Sequence, residues 1–438
     1  MRVLEVLPTY PGDRFDGSAI YERSLNRALV ERGTCVEVLT TRASRLDHRE
    51  HFHIAWPNDL PRQDEHDGVP IRRFDAVDVG RVGGAASAAV LRRWSREDFT
   101  TGVVLAGSAQ FVEAGVAHAH RRPRRVDLLA DLGRGPLVPG LIAHLLRSAS
   151  RYDLILAGYA PFSLPRQVLW AASRSGVPVV LLPFIHEGDR YHLFSSLLRT
   201  YEKAAAVLTL SEHTSEFLRA YVPRAKPVTL GAGFTVPGGS TVSVDEFRAR
   251  HNLGQRRIVL FVGRKEHGKR YDLAVDAVEM LPRDTLLVMV GRDVDGKKIE
   301  SDRVRQLGLL PDDELAAAYE ACHVFVLPSM FESFGMVFLD AWLRGKPVIG
   351  NATCGAAASL IDDGVDGFLC RNAREIAAAA RRLFDDPGFA ARIGGAGRAK
   401  TLAEYTWDRV ADRALEALEQ ITLSSRTRKR GGTIGACL

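Results

Sequence analysis

Short apolar segments alternate with amphipathic segments along most of this 438-residue chain. The apolar run Val3–Leu7 has the length of a strand, and in Ser18–Arg32 apolar residues recur at helical spacing. Gly33 ends this helix, and Val36–Thr40 is the next strand. Two strands joined through a helix form a βαβ unit, which predicts a parallel sheet.

Further apolar runs of strand length continue the alternation in two series. From about Ala43 to Asp67 the pattern fades, and we expect a long loop or an ordered insert there. Two consecutive βαβ series predict an α/β protein with two Rossmann-like, doubly wound parallel-sheet domains. The runs are Val69–Phe74, Leu154–Leu156, Val179–Leu182 and Val207–Leu210 in the first series, and Ile258–Val262, Leu286–Val290, Val324–Leu327 and Pro347–Ile349 in the second.

A glycine-rich stretch near residues 231–239 marks the predicted boundary between the domains. We expect the last amphipathic helix to pack back on the first domain. The predicted divisions are a first domain at 1–232, a linker at 233–256, a second domain at 257–405, the C-terminal helix at 406–423 and a basic flexible tail at 424–438.

Composition changes this picture little. Hydrophobic residues make up 46% of the chain and charged residues 26%, as in ordinary globular proteins. The net charge of +6 suits phosphorylated small molecules, an anionic membrane surface or nucleic acid without choosing among them. No run reaches membrane-spanning length and no secretory signal precedes the first strand, so we expect a cytoplasmic protein. Peripheral contact with the inner face of an anionic membrane stays open, and nucleic acid is not expected as a partner.

The segment from Val326 to Asp340 carries the first candidate chemistry. A buried strand ends at Pro328, and a helix begins close to Gly335, which places Glu332 at the carboxyl edge of the sheet. The helix N-terminus is aimed at the same edge and would bind a diphosphate. Asp340 lies on an apolar helix face, where ribose hydroxyls would satisfy it. Alternatively, Glu332 is a surface charge and Asp340 caps a neighbouring backbone group.

A second segment follows the strand that ends at Val262. Gly263 opens a short loop with several cations, of which Arg264 and Lys269 can reach one anion. The alternative is a solvated basic loop. Lys269 near a helix start is disfavoured by the helix dipole, which favours a functional interpretation slightly.

These two segments resemble the C-terminal domain of retaining GT-B glycosyltransferases of family 4. Arg264 followed five residues later by Lys269 is similar to a Gly-Arg…Lys pattern of that family, and Glu332 matches the first of its two glutamates. Phe334 and Gly335 lie between, and Asp340 stands where the second glutamate is expected. The resemblance covers nearly the whole chain, weakly from about residue 43 to 150. It implies two facing domains with a central cleft, the acceptor binding to the first and the donor to the second.

The resemblance also implies roles for single residues. Arg264 and Lys269 would neutralise the donor diphosphate, Glu332 would bind hydroxyls of the donor sugar, and Asp340 would bind the ribose. Arg305, in a predicted loop, would touch the nucleobase. The remaining implied positions, which lie in the first glycine loop, after a first-domain strand and around the donor, are Gly17, His186, Gly263, Phe334 and Gly335.

His186 also has a plain interpretation, as a loop histidine bonded to its own surroundings, against a role as a proton carrier or polar clamp. Asp340 is one methylene shorter than glutamate, Ser359 stands where the family often has a glutamate, and the first glycine pair is reduced to Asp16-Gly17. These departures concern donor selectivity.

No metal site is predicted. Asp293-Val294-Asp295 resembles a metal-binding Asp-x-Asp, but it follows Gly291 and indicates solvated turn chemistry. No cofactor is expected either, because the nucleotide-sugar donor that the resemblance implies is a co-substrate.

The resemblance therefore implies a retaining, metal-independent glycosyltransferase that moves a sugar from a UDP- or GDP-sugar to a hydroxyl acceptor such as a glycolipid, glycan or secondary metabolite. Alternatives on the same fold are a sugar-nucleotide epimerase, a phosphorylase, or a catalytically degenerate partner subunit that only binds nucleotide-sugar.

Overall fold

The computed structural model describes residues 1–12, 16–44, 47–48, 54–77, 85, 89, 133–160, 162–187, 192–193, 195–234 and 241–434, with side chains of the last helix up to residue 427. The described chain falls into two compact units. The first is Met1–Gly231 with Trp407–Leu438, and the second is Ala232–Thr406. None of the described helices is both long and apolar enough to span a bilayer.

The first unit is built on a mostly parallel sheet with strand order β10-β9-β8-β7-β1-β2-β6-β5 among its described residues. Its core packs apolar residues of the central strands against the helices beside them, and both faces of a parallel sheet must be covered in this way. The strands are β1 Arg2–Val6, β2 Cys35–Thr41, β5 Gln63–His66, β6 Val69–Phe74, β7 Leu154–Gly158, β8 Val179–Leu182, β9 Ala206–Thr209 and β10 Pro227–Thr229, with the short pair β3 Asp47–His48 and β4 Ile54–Ala55 outside this sheet. The helices are α1 Gly17–Glu31, α2 Pro139–Ser148, α3 Leu164–Ala172, α4 Ser195–Lys203 and α5 Glu212–Tyr221.

The segment Ala43–Asp67, predicted as a loop or insert, contains strands. β5 pairs antiparallel with β6 through the turn Asp67-Gly68, where both residues have positive φ, 49° and 75°. An Asp-Gly pair with two positive φ values is the preferred two-residue hairpin turn. Of the two alternatives expected for this segment, the structure shows an ordered insert here. The strand itself was not predicted because β5 is polar and exposed, so it lacks the apolar run on which strand prediction depends.

The second unit contains a parallel sheet with strand order β13-β12-β11-β14-β15-β16. Its central strands β11, β12 and β14 are near-continuous apolar runs, as expected when helices cover both faces, whereas the edge strand β13 is partly polar. The strands are β11 Arg257–Val262, β12 Thr285–Val290, β13 Val304–Gly308, β14 Val324–Leu327, β15 Val348–Asn351 and β16 Gly367–Cys370. The helices are α6 Val244–Arg250, α7 Tyr271–Glu279, α8 Asp312–Ala321, α9 Met336–Leu343, α10 Gly355–Leu360, α11 Ala373–Asp385 and α12 Pro387–Glu404.

The last helix, α13 Trp407–Ile434, belongs to the first unit. Arg32, at the end of α1, donates hydrogen bonds to the carboxylates of Asp408 and Asp412, both at 2.8 Å. The helix continues well beyond residue 423, where the flexible tail was predicted to begin. Arg426 pairs with Asp153 at 2.6 Å, and this contact within the unit gives the added turns a partner that the basic sequence alone does not reveal.

Candidate active site

Three turns lie side by side at the carboxyl edge of the second sheet, because β12, β11 and β14 are neighbouring parallel strands. The N–H of Gly263, after β11, donates to the carbonyl of Val290 at the end of β12, 2.9 Å away. On the other side, the N–H of Met330, after β14, donates to the carbonyl of Gly268 at 2.9 Å. Ligands of open α/β sheets bind at this edge.

Lys269 and Glu332 meet across two of these turns. The ammonium Nζ of Lys269 donates to Oε1 of Glu332 at 2.5 Å. Glu332 is buried and Lys269 is partly buried, so the pair is only partly screened by water. The sequence predicted both side chains at one edge of one sheet, and the structure brings them into contact.

Arg264 occupies the same turn as Lys269 but is more open to solvent. Its guanidinium pairs with Glu266 at 2.8 Å, and 59% of the side chain remains exposed. An exposed guanidinium presents a planar set of donors that matches phosphate oxygens. Gly263, directly before it, carries the backbone contact between β11 and β12 described above.

Gly335 opens helix α9 beside Glu332. Its φ of +94° lies in a region that favours glycine, and a Cβ there would meet the Phe338 ring at 2.8 Å. The first N–H groups of a helix have no partner within the helix and favour an anion. Phe334 is buried, with its ring edge-to-face against Tyr405 at 5.4 Å between centroids. The glycine therefore allows the tight entry that directs the start of α9 to the edge.

Asp340 lies in the second turn of α9 and is half-buried. Burial raises the pKa of its carboxyl to about 6, and the nearby charge of Arg344 opposes that rise. Arg344 also donates from its guanidinium to the backbone carbonyl of Asp340 at 2.9 Å. The carboxyl is therefore near the midpoint of its titration in mildly acidic solution.

Arg305 was predicted to lie in a loop, but it lies in the edge strand β13. Its guanidinium donates to the carbonyls of Asp302 at 2.9 Å and Val304 at 3.2 Å. These acceptors lie at the amino end of β13, opposite to the edge that carries Lys269 and Glu332. The structure does not bring Arg305 to those residues, and its contact with a nucleobase remains a prediction.

Two candidate residues lie in the first unit. Gly17 begins α1, which is capped by the carboxylate of Asp16 accepting from the N–H of Ser18 at 3.0 Å. His186 follows β8, and its ring stacks on that of the buried His192 with centroids 5.2 Å apart. Residues 13–15 of the predicted glycine loop lie outside the described residues.

Lys265 follows Arg264 in the same loop and was not among the predicted site residues. The structure buries it to 3% exposure, with its ammonium 2.5 Å from Asp295 and 2.9 Å from Asp293. These carboxylates belong to the Asp-x-Asp segment, which was predicted to be solvated. That prediction was wrong for Asp295, because a buried ammonium requires acceptors and draws the carboxylate inward.

Comparison with known protein families finds a match for the part of the chain that carries this edge. Residues 243–400 match the family model described as glycosyl transferases group 1.

Relatives of known name extend the likeness beyond this matched segment. The chain is 30% identical over 197 residues to the glycogen synthase of Mycobacterium tuberculosis, covering 42% of this chain and 46% of the relative. It is 28% identical over 333 residues to the D-inositol 3-phosphate glycosyltransferase of Salinispora tropica, covering 66% of this chain and 68% of the relative. The chain thus spans less than half the length of the first of these relatives.

Among solved structures, the Anabaena protein HepE in complex with UDP-glucose is similar throughout. It is 18% identical, with a TM-score of 0.64, and the match covers 96% of this chain and all of HepE. The likeness concerns the fold, and the prediction of a GT-B protein with two parallel-sheet α/β domains is confirmed.

Proposed function

We propose that this chain is a retaining glycosyltransferase that transfers a sugar from a UDP- or GDP-sugar to a hydroxyl acceptor. The observation that carries the proposal is the contact of 2.5 Å between Lys269 and Glu332. This contact lies beside the start of α9, at the carboxyl edge of the sheet in the segment that matches the group 1 family model. A cation and a helix N-terminus on one edge match the diphosphate of a nucleotide-sugar, and a carboxylate beside them matches its sugar hydroxyls.

Donor binding would redistribute the charges at this edge. The diphosphate would draw on the ammonium of Lys269 and the exposed guanidinium of Arg264, which now pair with carboxylates of the chain. Glu332 would then accept hydrogen bonds from sugar hydroxyls, and its charge would favour the positive character that develops at the anomeric carbon. Asp340 lies in the second turn of α9, and its carboxylate would accept a hydrogen bond from a ribose hydroxyl once it is ionised.

In the transfer step, the bond between the anomeric carbon and the diphosphate oxygen breaks while the acceptor oxygen forms the new bond on the same face. The acceptor proton passes to an oxygen of the leaving diphosphate, so the step is balanced without a further reactant. Arg264, Lys269 and the N–H groups of α9 would stabilise the negative charge that grows on the leaving group, which is the largest contribution expected of fixed charges in such a site. We assign His186 a polar or proton-carrying role at the reacting centre, on the strength of the family resemblance.

The donor base and the acceptor class rest on the relatives. HepE was solved with UDP-glucose, which supports a uridine nucleotide as the first choice of donor. The Salinispora relative is named for an inositol phosphate acceptor, which supports a hydroxyl-bearing acceptor without fixing its identity.

The test combines binding and turnover. UDP, GDP, ADP and dTDP are screened by thermal shift, and the sugar forms of the nucleotides that bind are assayed for acceptor-dependent nucleotide release. Lys269→Met and Glu332→Gln should each lower transfer by about 100-fold or more, because each removes a charge that acts in the transition state. The control is Arg283→Gln, an exposed cation before β12 at the opposite edge of the same sheet, which should transfer at the normal rate. Normal transfer by either site variant would refute the proposal.

A further inference from the structure

Lys265 lies between two residues of the proposed donor turn but faces away from solvent. Only 3% of the residue is exposed, and its ammonium donates to Oδ1 of Asp295 at 2.5 Å and to the carbonyl of Lys297 at 2.7 Å, with Oδ1 of Asp293 at 2.9 Å. A lysine ammonium has three donors, and three acceptors surround it. Lys265 therefore has no donor left for a diphosphate, unlike its neighbours.

The ion pair between Lys265 and Asp295 joins the turn after β11 to the turn after β12. Backbone hydrogen bonds connect the same two turns. The N–H of Lys265 donates to the carbonyl of Arg292 at 2.9 Å, and the carbonyl of Lys265 accepts from Val294 at 3.1 Å. Gly291, with φ of +139°, lies so close that a Cβ on it would be 2.0 Å from the carbonyl oxygen of Gly263. The two turns are thus packed directly against each other.

Asp295 also reaches the far end of the donor turn. Its other oxygen, Oδ2, accepts from the hydroxyl of Tyr271, the first residue of α7, at 2.8 Å. The ammonium of Lys265 lies 5.2 Å from the centre of the Tyr271 ring. One carboxylate therefore binds the residue that follows Arg264 and the residue that closes the turn two positions after Lys269.

The charges in this cluster keep it ionised. Burial opposes the charged form of Asp295, but its hydrogen bonds from Lys265, the N–H of Lys297 and Tyr271 lower its pKa to about 2. Burial likewise opposes the charge on Lys265, and the two aspartates outweigh it, so that the pKa of the ammonium is raised. The ion pair persists through the neutral range.

We propose that Lys265 and Asp295 are positioning residues, which fix the turn 264–271 so that Arg264 and Lys269 face the donor diphosphate before it binds. The proposal rests on the proposed function, since it gives this turn a task. A turn held in its binding shape loses less conformational freedom when the donor arrives, and small displacements of charged groups are costly in transfer reactions.

The test compares Lys265→Met and Asp295→Asn with Asp293→Asn as the matched variant. Asp293 also accepts from Lys265 but is half-exposed, and the hydroxyl of Tyr271 donates to Asp295 instead. Lys265→Met and Asp295→Asn should each raise the donor KM by about 10-fold with a much smaller change in kcat, and Asp293→Asn should change KM less. A residue that only stabilises the fold would lower the amount of active enzyme and leave KM unchanged.

A double variant separates positioning from direct contact. If Lys265 acts through Lys269, Lys265→Met should weaken binding of UDP much less in a Lys269→Met background than in the wild-type chain. Amide hydrogen exchange in the free protein should be faster in residues 265–271 of Lys265→Met, whatever the protein transfers. Should Lys265→Met fail to fold, Asp295→Asn carries the same comparison.

The outcomes distinguish the two proposals. Nucleotide binding by the wild-type chain together with unchanged KM and unchanged exchange in both Lys265→Met and Asp295→Asn would overturn the positioning role alone. Full additivity of Lys265→Met with Lys269→Met would also overturn it. Failure of the wild-type chain to bind any nucleotide, with faster exchange in the variants, would instead refute the proposed function, and the positioning role would fall with it.

Discussion

In the second unit the buried ammonium of Lys265 meets three acceptors, whereas in the first unit the carboxyls of Glu5 and Glu22 are buried with little compensation. Glu5 is 0% exposed and Glu22 1%. Oε2 of Glu5 accepts from the amide of Asn26, but no hydrogen-bond partner for either oxygen of Glu22 is found within the described residues. The two units therefore solve the cost of burying an ionisable group in different ways, one by pairing and one by protonation.

The pKa values express this difference. Burial raises the pKa of Glu5 to about 8, and the hydrogen bond from Asn26 only partly opposes it. Burial, and then the charge of Glu5, raise the pKa of Glu22 well above its usual value. The Glu5 carboxyl is therefore mostly neutral in the folded protein at pH 7 and the pKa of Glu22 is shifted in the same direction, while Asp295 in the second unit is ionised. The contribution of Lys265 and Asp295 to stability should therefore depend on keeping both partners, whereas the contribution of Glu5 and Glu22 should depend on pH.

The largest effect is expected from breaking the pair. Lys265→Met leaves the partly buried carboxylate of Asp295 without its ammonium and should lower the stability of the second unit by about 2 kcal/mol. The measurement is the protection of β11 and β12 amides in denaturant-dependent hydrogen exchange. Lys298→Met, whose side chain is 83% exposed, is the control and should have no effect. Equal protection in both variants would show that the pair contributes little.

A smaller effect is expected in the first unit, and it varies with pH. The folded-state pKa of Glu5 and of Glu22 is raised, so their contribution to stability is fully present below about 4.5, the unfolded value, and is lost as pH rises above it, for Glu5 through about 8. Each group should lower the unfolding free energy by up to about 1.4 kcal/mol per pH unit in that window. Glu22→Gln should make the decline between pH 6 and 8 shallower, as measured by denaturant unfolding.

The matched control is Glu216→Gln, an exposed position on α5. It should leave the decline as in the wild-type chain. The same slope in Glu22→Gln would mean that Glu22 does not hold a proton in the fold, and the contrast between the units would be lost.

The smallest effect concerns Asp340, whose carboxyl has a raised pKa and lies beside the proposed donor site. Its pKa of about 6 means that the ionised form increases as pH rises through 6, so the donor KM should fall by about 10-fold or less between pH 5 and 7.5. Asp340→Asn should remove this dependence, as initial rates across that range will reveal. A KM that keeps the same pH profile in the variant would assign the titration to another group.

Much of this architecture was predictable, because buried parallel strands are apolar runs. β14 was predicted with the observed bounds, and the helix after Gly335 begins one residue after that glycine. The direction of a side chain was harder. Arg264 and Lys265 are adjacent cations, yet one is exposed and the other is enclosed, and only the packing of the turn after β12 decides which.

Glu5 was also missed, although a signal was present. It lies in the middle of a strand predicted for a parallel sheet, where both faces are covered, so burial could have been inferred. Its position beside Glu22 could not, since the register of α1 on the sheet is a tertiary property. The polar strand β5 escaped prediction for the reason given above, although its Asp-Gly turn was visible in the sequence.

The most direct test of the account is a crystal structure of the protein with the nucleotide-sugar that binds most tightly in the screen. The account predicts the diphosphate within hydrogen-bonding distance of Lys269 and Arg264, and a hydroxyl of the sugar on Glu332. A diphosphate bound elsewhere, with the ion pair between Lys269 and Glu332 undisturbed, would contradict it.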